Sequence, residues 1–212
     1  MKTDDLIASL VADRSRPARP PRRLLAIFLP VGLVIAAVIF CYLLDMRSDF
    51  SKAIQNWHYF AKLMFGASVA LVGLALSLQV ARPETSTHIA PAWILVALAP
   101  LLVGLALEVA TLPTGEWWRN AMGEKALYCL ALVPLISAAP LAALLMAARQ
   151  GAPQNPGLAG AVAGFAAGGL GAFIYSFHCN NDSPFYVALW YVAAIAIVTF
   201  AGSLAGRRLL RW

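Results

Sequence analysis

The sequence predicts an all-α membrane protein, a bundle of six transmembrane helices with both termini cytoplasmic. Three observations predict it. Of 212 residues, 61% are hydrophobic and only 12% charged, where an average soluble domain carries about 25% charged residues. One soluble core of this size could not cover so much apolar surface, and the mean hydropathy is +0.74. Apolar runs long enough to cross a bilayer, about 20 residues each, recur along the chain. Lys and Arg collect on one side of those runs, as membrane proteins arrange them.

Taken in order, residues 1–23 form a cytoplasmic N-terminal segment. Residues 24–205 form the transmembrane domain, with spans at 24–44, 59–81, 91–111, 126–148, 157–177 and 186–205, and residues 206–212 form a basic cytoplasmic tail. The first span follows a long, charged, proline-containing leader with no A-x-A site after the apolar run, so it reads as a span and not as a cleaved signal. The fifth is the least hydropathic, being rich in Gly and Ala. Pro30, Pro100, Pro134 and Pro140 fall inside spans, where each removes a backbone donor and kinks its helix. The connecting loops leave no room for a folded soluble domain, and no repeat of the solenoid kind is present.

Orientation follows from the cations. Lys2, Arg14, Arg16, Arg19, Arg22, Arg23, Arg82, Arg149, Arg207, Arg208 and Arg211 lie on one side, eleven against the four of Arg47, Lys52, Arg119 and Lys125 on the other. The richer side is cytoplasmic, with the lipid bilayer as the first partner. The same asymmetry accounts for the excess of 16 basic over 10 acidic residues, so no direct nucleic-acid contact is inferred. Trp57, Tyr59, Trp117, Trp118, Tyr186, Trp190 and Tyr191 border the outer ends of the spans, and Trp93 and Trp212 the inner ones. Indole and phenol rings favour the headgroup layer.

Several residues carry chemistry. Gly160, Gly164 and Gly168 recur every fourth residue, which lets another helix approach closely. Lys62 and Glu108 are charges inside spans, each about a turn from the outer interface. They either snorkel to the surface or pair with each other, and a structural role is favoured over transport because neither reaches the midplane. Cys41, Cys129 and Cys179 make no CxxC pair. At the helical rise all three nevertheless lie within about 5 Å of the outer boundary, with His178, Asp182 and His58 at the same face. Such thiols either form a disulfide or capture a soft metal, or they are three separate small core residues. Those readings stay open on spacing alone.

At the other end, Leu6, Ile7, Leu10 and Val11 share one stripe of a short helix. Asp4 and Asp5 stand at its start, where the helix dipole favours negative charge. A lone short helix is not stable in water, so this stripe needs a partner, either the membrane surface or a protein groove. Its acidic start argues for the protein. No HExxH, Walker or CxxC motif is present, and no His lies at mid-membrane. Catalysis therefore has no support.

The leader M-K-T-D-D-L-I-A-S-L, the six spans and H-C-N-N-D-S-P-F followed by A-L-W-Y, within His178 to Tyr191, resemble the NrsF-type membrane anti-sigma factors of proteobacteria. The resemblance covers essentially the whole chain, and the H-C-x-x-D-S-P-F run is its specific part. It implies a regulator, not an enzyme, held in the bacterial inner membrane, with an extracytoplasmic-function (ECF) sigma factor as partner. It implies that the N-terminal segment, Asp4, Asp5, Leu6, Ile7, Leu10 and Val11, contacts that partner. It also implies that two outward cysteines sense a heavy metal or an oxidant, and these map onto Cys179 and, by position, Cys129. Cys41 matches nothing in the pattern; it stands with His178 and Asp182 as an accessory candidate. No resident cofactor is expected, only a transient heavy-metal ion. The alternative is a small six-span transporter or membrane enzyme acting at the outer face. Oligomeric state is left open.

Overall fold

The computed structural model describes residues 3, 5, 21–81, 90–123, 125–151 and 153–210. Among these there is no β-strand, and six helices are long and apolar enough to cross a membrane. In chain order the helices are α1 (Pro21–Leu43), α2 (Phe50–Ala53), α3 (Trp57–Val80), α4 (Pro91–Thr111), α5 (Trp117–Met122), α6 (Ala126–Arg149), α7 (Pro156–Tyr175) and α8 (Pro184–Leu209). Local chemistry sets several starts. The Asn56 side chain accepts from the His58 amide at 3.1 Å and caps α3, and Asn155 does the same for α7 through Leu158 at 3.0 Å. Each satisfies one of the orphan amides of a first turn. Proline begins α4, α7 and α8, where its missing N–H costs nothing.

The helix with the least hydropathic sequence is the centre of the bundle. α7 packs against α3, α6 and α8, while α1 lies along α6 and α4 along α3. Its small residues permit this. A Cβ on Gly164 would stand 2.5 Å from the Val198 carbonyl of α8, and one on Gly73 of α3 would stand 2.6 Å from the backbone of Ala166. Gly160 meets Gly202 and Gly206 in the same way, so α7 and α8 touch backbone to backbone. In lipid, where apolar side chains gain nothing from leaving water, this packing is what associates helices. Large exposed apolar residues, such as Val34 and Val38 on α1, Leu95 and Val103 on α4, Leu71 on α3 and Phe200 on α8, form the outer surface of the bundle. Gly164→Val is therefore expected to cost about 1–3 kcal/mol by overpacking. The check is thermal unfolding of the purified chain in detergent, where Ala167→Gly on the same helix provides a cavity-forming comparison.

Leu25, Ala81, Ala148 and Ala159 line one small cavity, and Gly206 abuts Pro156. The start of α1 and the end of α8 therefore share one end of the bundle. The opposite end carries the segments 44–56, 112–123 and 176–183.

α8 has an irregular start. Its turns over Val187–Tyr191 are π-helical, a widening often found next to functional sites. It lies directly after the H-C-N-N-D-S-P-F run.

Candidate functional site

At the end opposite the chain termini of the bundle, the 176–183 segment is covered from one side by 112–123. Trp190 Nε1 donates to the Ala121 carbonyl at 2.9 Å, Trp117 stacks on Phe185 at 5.6 Å, and Gly123 turns with φ +57° against Asn181 and Tyr186. A Cβ on Gly123 would fall within 2.7 Å of the Tyr186 ring, so both conformation and space call for glycine here.

Beneath this cover lie two of the three cysteines. Cys129, in the first turn of α6, is fully buried, and Cys179, just past α7, is 4% exposed. All three cysteines are free thiols. Cys129 and Cys179 belong to one buried cluster that also holds Tyr175, Tyr186 and Tyr191. The tyrosine rings contact one another, Tyr175–Tyr191 at 6.0 Å and Tyr186–Tyr191 at 6.4 Å. The Tyr186 hydroxyl lies beside Cys129 without a hydrogen bond of normal geometry, and the Tyr191 hydroxyl is likewise buried and unpartnered. Cys41 differs from the pair: it is exposed on α1.

Of the accessory candidates, His178 donates from Nδ1 to the Asp45 carbonyl at 2.7 Å and rests beside Tyr175. Asp182 is engaged by two cations. Its Oδ1 accepts from Lys62 Nζ at 2.5 Å and from Arg47 Nη1 at 2.9 Å. Among the described residues, no group of three or more His, Cys, Asp or Glu side chains is arranged to hold a metal ion. The soft donors available to one are the two buried thiols. Asp5 is exposed, and Asp4, Leu6, Ile7, Leu10 and Val11 lie outside the described residues.

Lys62 and Glu108 do not pair with each other. Lys62, whose side chain is wholly buried, donates to Asp182 and to the carbonyls of Cys179 (2.8 Å) and Asn181 (3.1 Å). The three acceptors match the three donors of an ammonium group, which is why the charge needs no route to the surface. Glu108 is met instead by His58 Nε2 at 2.7 Å, one helical turn before Lys62.

Arg47, read from sequence only as an orientation charge, completes the network. Its Nε and Nη2 grip Asp49 at 2.8 and 2.9 Å, and its Nη1 reaches Asp182 and the Cys179 carbonyl. The fork geometry is the one arginine uses for carboxylates. The hydrogen bond from Arg47 holds the Asp49 carboxyl down at about 2, and Asp49 first, then Asp182, raises the guanidinium above its ordinary range against desolvation. Above the network opens a polar hollow of about 410 Å³, its wall including Asp49, His58, Glu108 and Asp182. The three tyrosines also went unread in the sequence as a site: there the headgroup layer alone accounts for Tyr186 and Tyr191, and Tyr175 is not singled out.

Comparison with known proteins gives one family. The model of the family described as NrsF, negative regulator of sigma F, matches residues 10–212. The chain is 31% identical over 216 residues to the anti-sigma-F factor NrsF of Caulobacter vibrioides (strain NA1000 / CB15N), with all of both chains covered. It is 30% identical over 224 residues to the probable anti-sigma-F factor NrsF of Azospira oryzae, again with all of both chains covered. No solved structure matches.

Proposed function

The chain belongs to the NrsF family of negative regulators of sigma F, and from that premise we propose how it works as a membrane anti-sigma factor. Its N-terminal segment, cytoplasmic by the distribution of Lys and Arg, holds an ECF sigma factor at the bacterial inner membrane and away from RNA polymerase. Cys129 and Cys179 face the other side and respond to a heavy-metal ion or an oxidant. Their reaction loosens the bundle, and the sigma factor is released.

The observation that carries the sensing half is the seating of two free thiols, one in the first turn of α6 and one just past α7, in one buried cluster. Two thiols so placed have two reactions open to them. With an oxidant such as hydrogen peroxide they form one S–S bond, giving up two electrons and two protons as the peroxide becomes two waters. With a soft divalent metal they lose two protons and bind it as two thiolates. Either product draws the first turn of α6 and the segment after α7 together. Signalling needs the two arrangements of the bundle to be favoured unequally by that bond.

The direct test is retention. The full-length chain, purified in detergent without inducer, is expected to hold the cell's ECF sigma factor through gel filtration, and to lose it on adding mercuric ion or peroxide. Copurification with a membrane protein and no sigma factor would point instead to an accessory subunit. Substrate flux into proteoliposomes would point to a transporter.

A further inference from the structure

The Cys179 backbone is held by two cations that come from other parts of the chain. The acceptors of Lys62 are the Cys179 carbonyl, the Asn181 carbonyl and Asp182, so one buried ammonium directs its donors to three residues within a four-residue stretch. Arg47 adds its own bonds to the same stretch: its amide donates to the Phe177 carbonyl at 3.1 Å, and its Nη1 to the Cys179 carbonyl at 3.3 Å and to Asp182. Both cations also lie over the Tyr59 ring, at 5.0 Å for Arg47 and 5.5 Å for Lys62. The Asp49 and Asp182 carboxylates balance the two charges. Bonds of this density are not needed merely to close a loop between two helices.

We infer that Arg47, Lys62 and Asp182 are positioning residues, an ionic clamp that keeps the Cys179 thiol seated in the buried cluster and sets how readily it reacts. The physical argument is one of balance. Buried charges are tolerated only while fully paired, and removing one partner leaves the other buried and uncompensated. Without the Asp182 charge, the Lys62 ammonium, whose side chain is wholly buried, keeps neutral oxygen acceptors but loses its counter-charge. The cheapest relief is for the 177–182 stretch to lift and admit water from the polar hollow beside it, which carries Cys179 outward. The clamp also ties together segments from three places: Arg47 follows α1, Lys62 belongs to α3, and the thiol follows α7. A displacement of Cys179 therefore pulls on α1, the helix that succeeds the N-terminal segment. The regulatory meaning of the clamp rests on the reading of Cys179 as a sensor thiol; its effect on the thiol's reactivity does not.

The test reads that reactivity. In a chain with Cys41→Ser and Cys129→Ser, Cys179 is the sole thiol, and its alkylation by N-ethylmaleimide is followed by mass spectrometry in proteoliposomes. Asp182→Asn is expected to speed alkylation about tenfold or more, because the protected form opens more often. Lys62→Met, which leaves Asp182 on Arg47, is expected to act in the same direction. Asp182→Glu keeps the charge and should bring the rate back towards that of the unsubstituted residue. A cysteine-free chain carrying Ser137→Cys, at a buried position in the middle of α6, should show no change with either clamp variant. Equal acceleration there would mean general loosening and overturn the clamp, as would an unchanged Cys179 rate in both variants. Hydrogen exchange on the unsubstituted chain gives a reading that no variant can spoil. The Arg47 and Cys179 amides should exchange as slowly as the adjoining helix ends, and fast exchange would also overturn it. Should the cysteine pair prove unnecessary for signalling, the sensor reading fails while the labelling result stands.

Discussion

Deleting residues 1–13 is expected to release the sigma factor permanently, with its target transcripts at the fully induced level and no further response to inducer. The deleted stretch holds Leu6, Ile7, Leu10 and Val11, the apolar stripe proposed to enter a groove on the partner. Truncating an anchor of such an interface typically costs about 2 kcal/mol or more, which is over tenfold in affinity, and the deletion removes all four together. Point variants should grade the effect. Leu6→Asp or Leu10→Asp is expected to weaken retention by a factor of about ten to a hundred. Asp4→Asn with Asp5→Asn should chiefly slow association and reduce its dependence on salt, as rim charges do. The six long helices begin at Pro21 or later, so the amount of deleted protein in the membrane should match that of the full chain. Gel filtration with the sigma factor and a reporter on a target promoter are the measurements. Continued repression by the shortened chain would place the contact elsewhere, on residues 14–23, the segments after α3 and α6 or the basic tail at 206–212.

Much of the fold was legible because bilayer physics leaves few choices. A run of about 20 apolar residues must close its own backbone hydrogen bonds, and a helix does so. Six such helices are present among the described residues. What hydropathy could not give was their arrangement. α7 is the weakest by composition, yet it is central, because small residues rather than greasy ones let three neighbours approach it. The recurrence of Gly160 and Gly164 announced a close contact, and the matching pair that receives it, Gly202 and Gly206 in α8, was itself written at the same four-residue spacing. The π-helical turn at Val187–Tyr191 left no mark in the pattern of apolar residues. It contains no proline or glycine, and two of its residues, Val187 and Tyr191, are buried.

The site divides in the same way. Helical rise alone brings Cys129 and Cys179 to one boundary. Burial separates them from Cys41, and burial depends on which side of each helix meets a neighbour. Charge pairing was harder still. Lys62 and Glu108 stand at similar depth, and sequence offered each as the other's partner. In three dimensions Glu108 is taken by His58, and Lys62 turns to the 179–182 carbonyls and Asp182. Backbone carbonyls carry no residue signature, so the acceptors that keep Lys62 buried could not be read from side-chain types. Arg47 was lost for a related reason. An arginine just outside a span is normally an orientation charge, and only its bond to a distant carboxylate marks it as anything more.

Substituting both Cys129→Ser and Cys179→Ser is expected to leave retention of the sigma factor intact and to remove the response to metal and oxidant altogether. Retention should survive because the proposed contact is at the other end of the bundle and because serine nearly matches cysteine in shape. The substitution is not free, since a hydroxyl at the fully buried Cys129 position costs about 1–3 kcal/mol unless it finds a partner. The unpartnered hydroxyl of Tyr186 nearby is one that could meet it. Cys129→Ala with Cys179→Ala serves as the apolar control, and agreement between the two doubles would exclude the new hydroxyls as the cause. The response should vanish because a hydroxyl forms no disulfide and is a poor ligand for soft metals. Either single substitution should do as much as the double, for a bond between two sulfurs is lost with either one. Cys41→Ser, on the exposed side of α1, should respond as the unsubstituted chain does. The readouts are sigma-factor retention and promoter activity before and after peroxide or mercuric ion, together with the mass of the intact chain, which falls by two hydrogens on disulfide formation. A full response from the double variant would sink the sensor assignment. A response lost with Cys179 but kept with Cys129 replaced would show a single reactive thiol, and the signal would then be the modification of Cys179 and not its joining to α6.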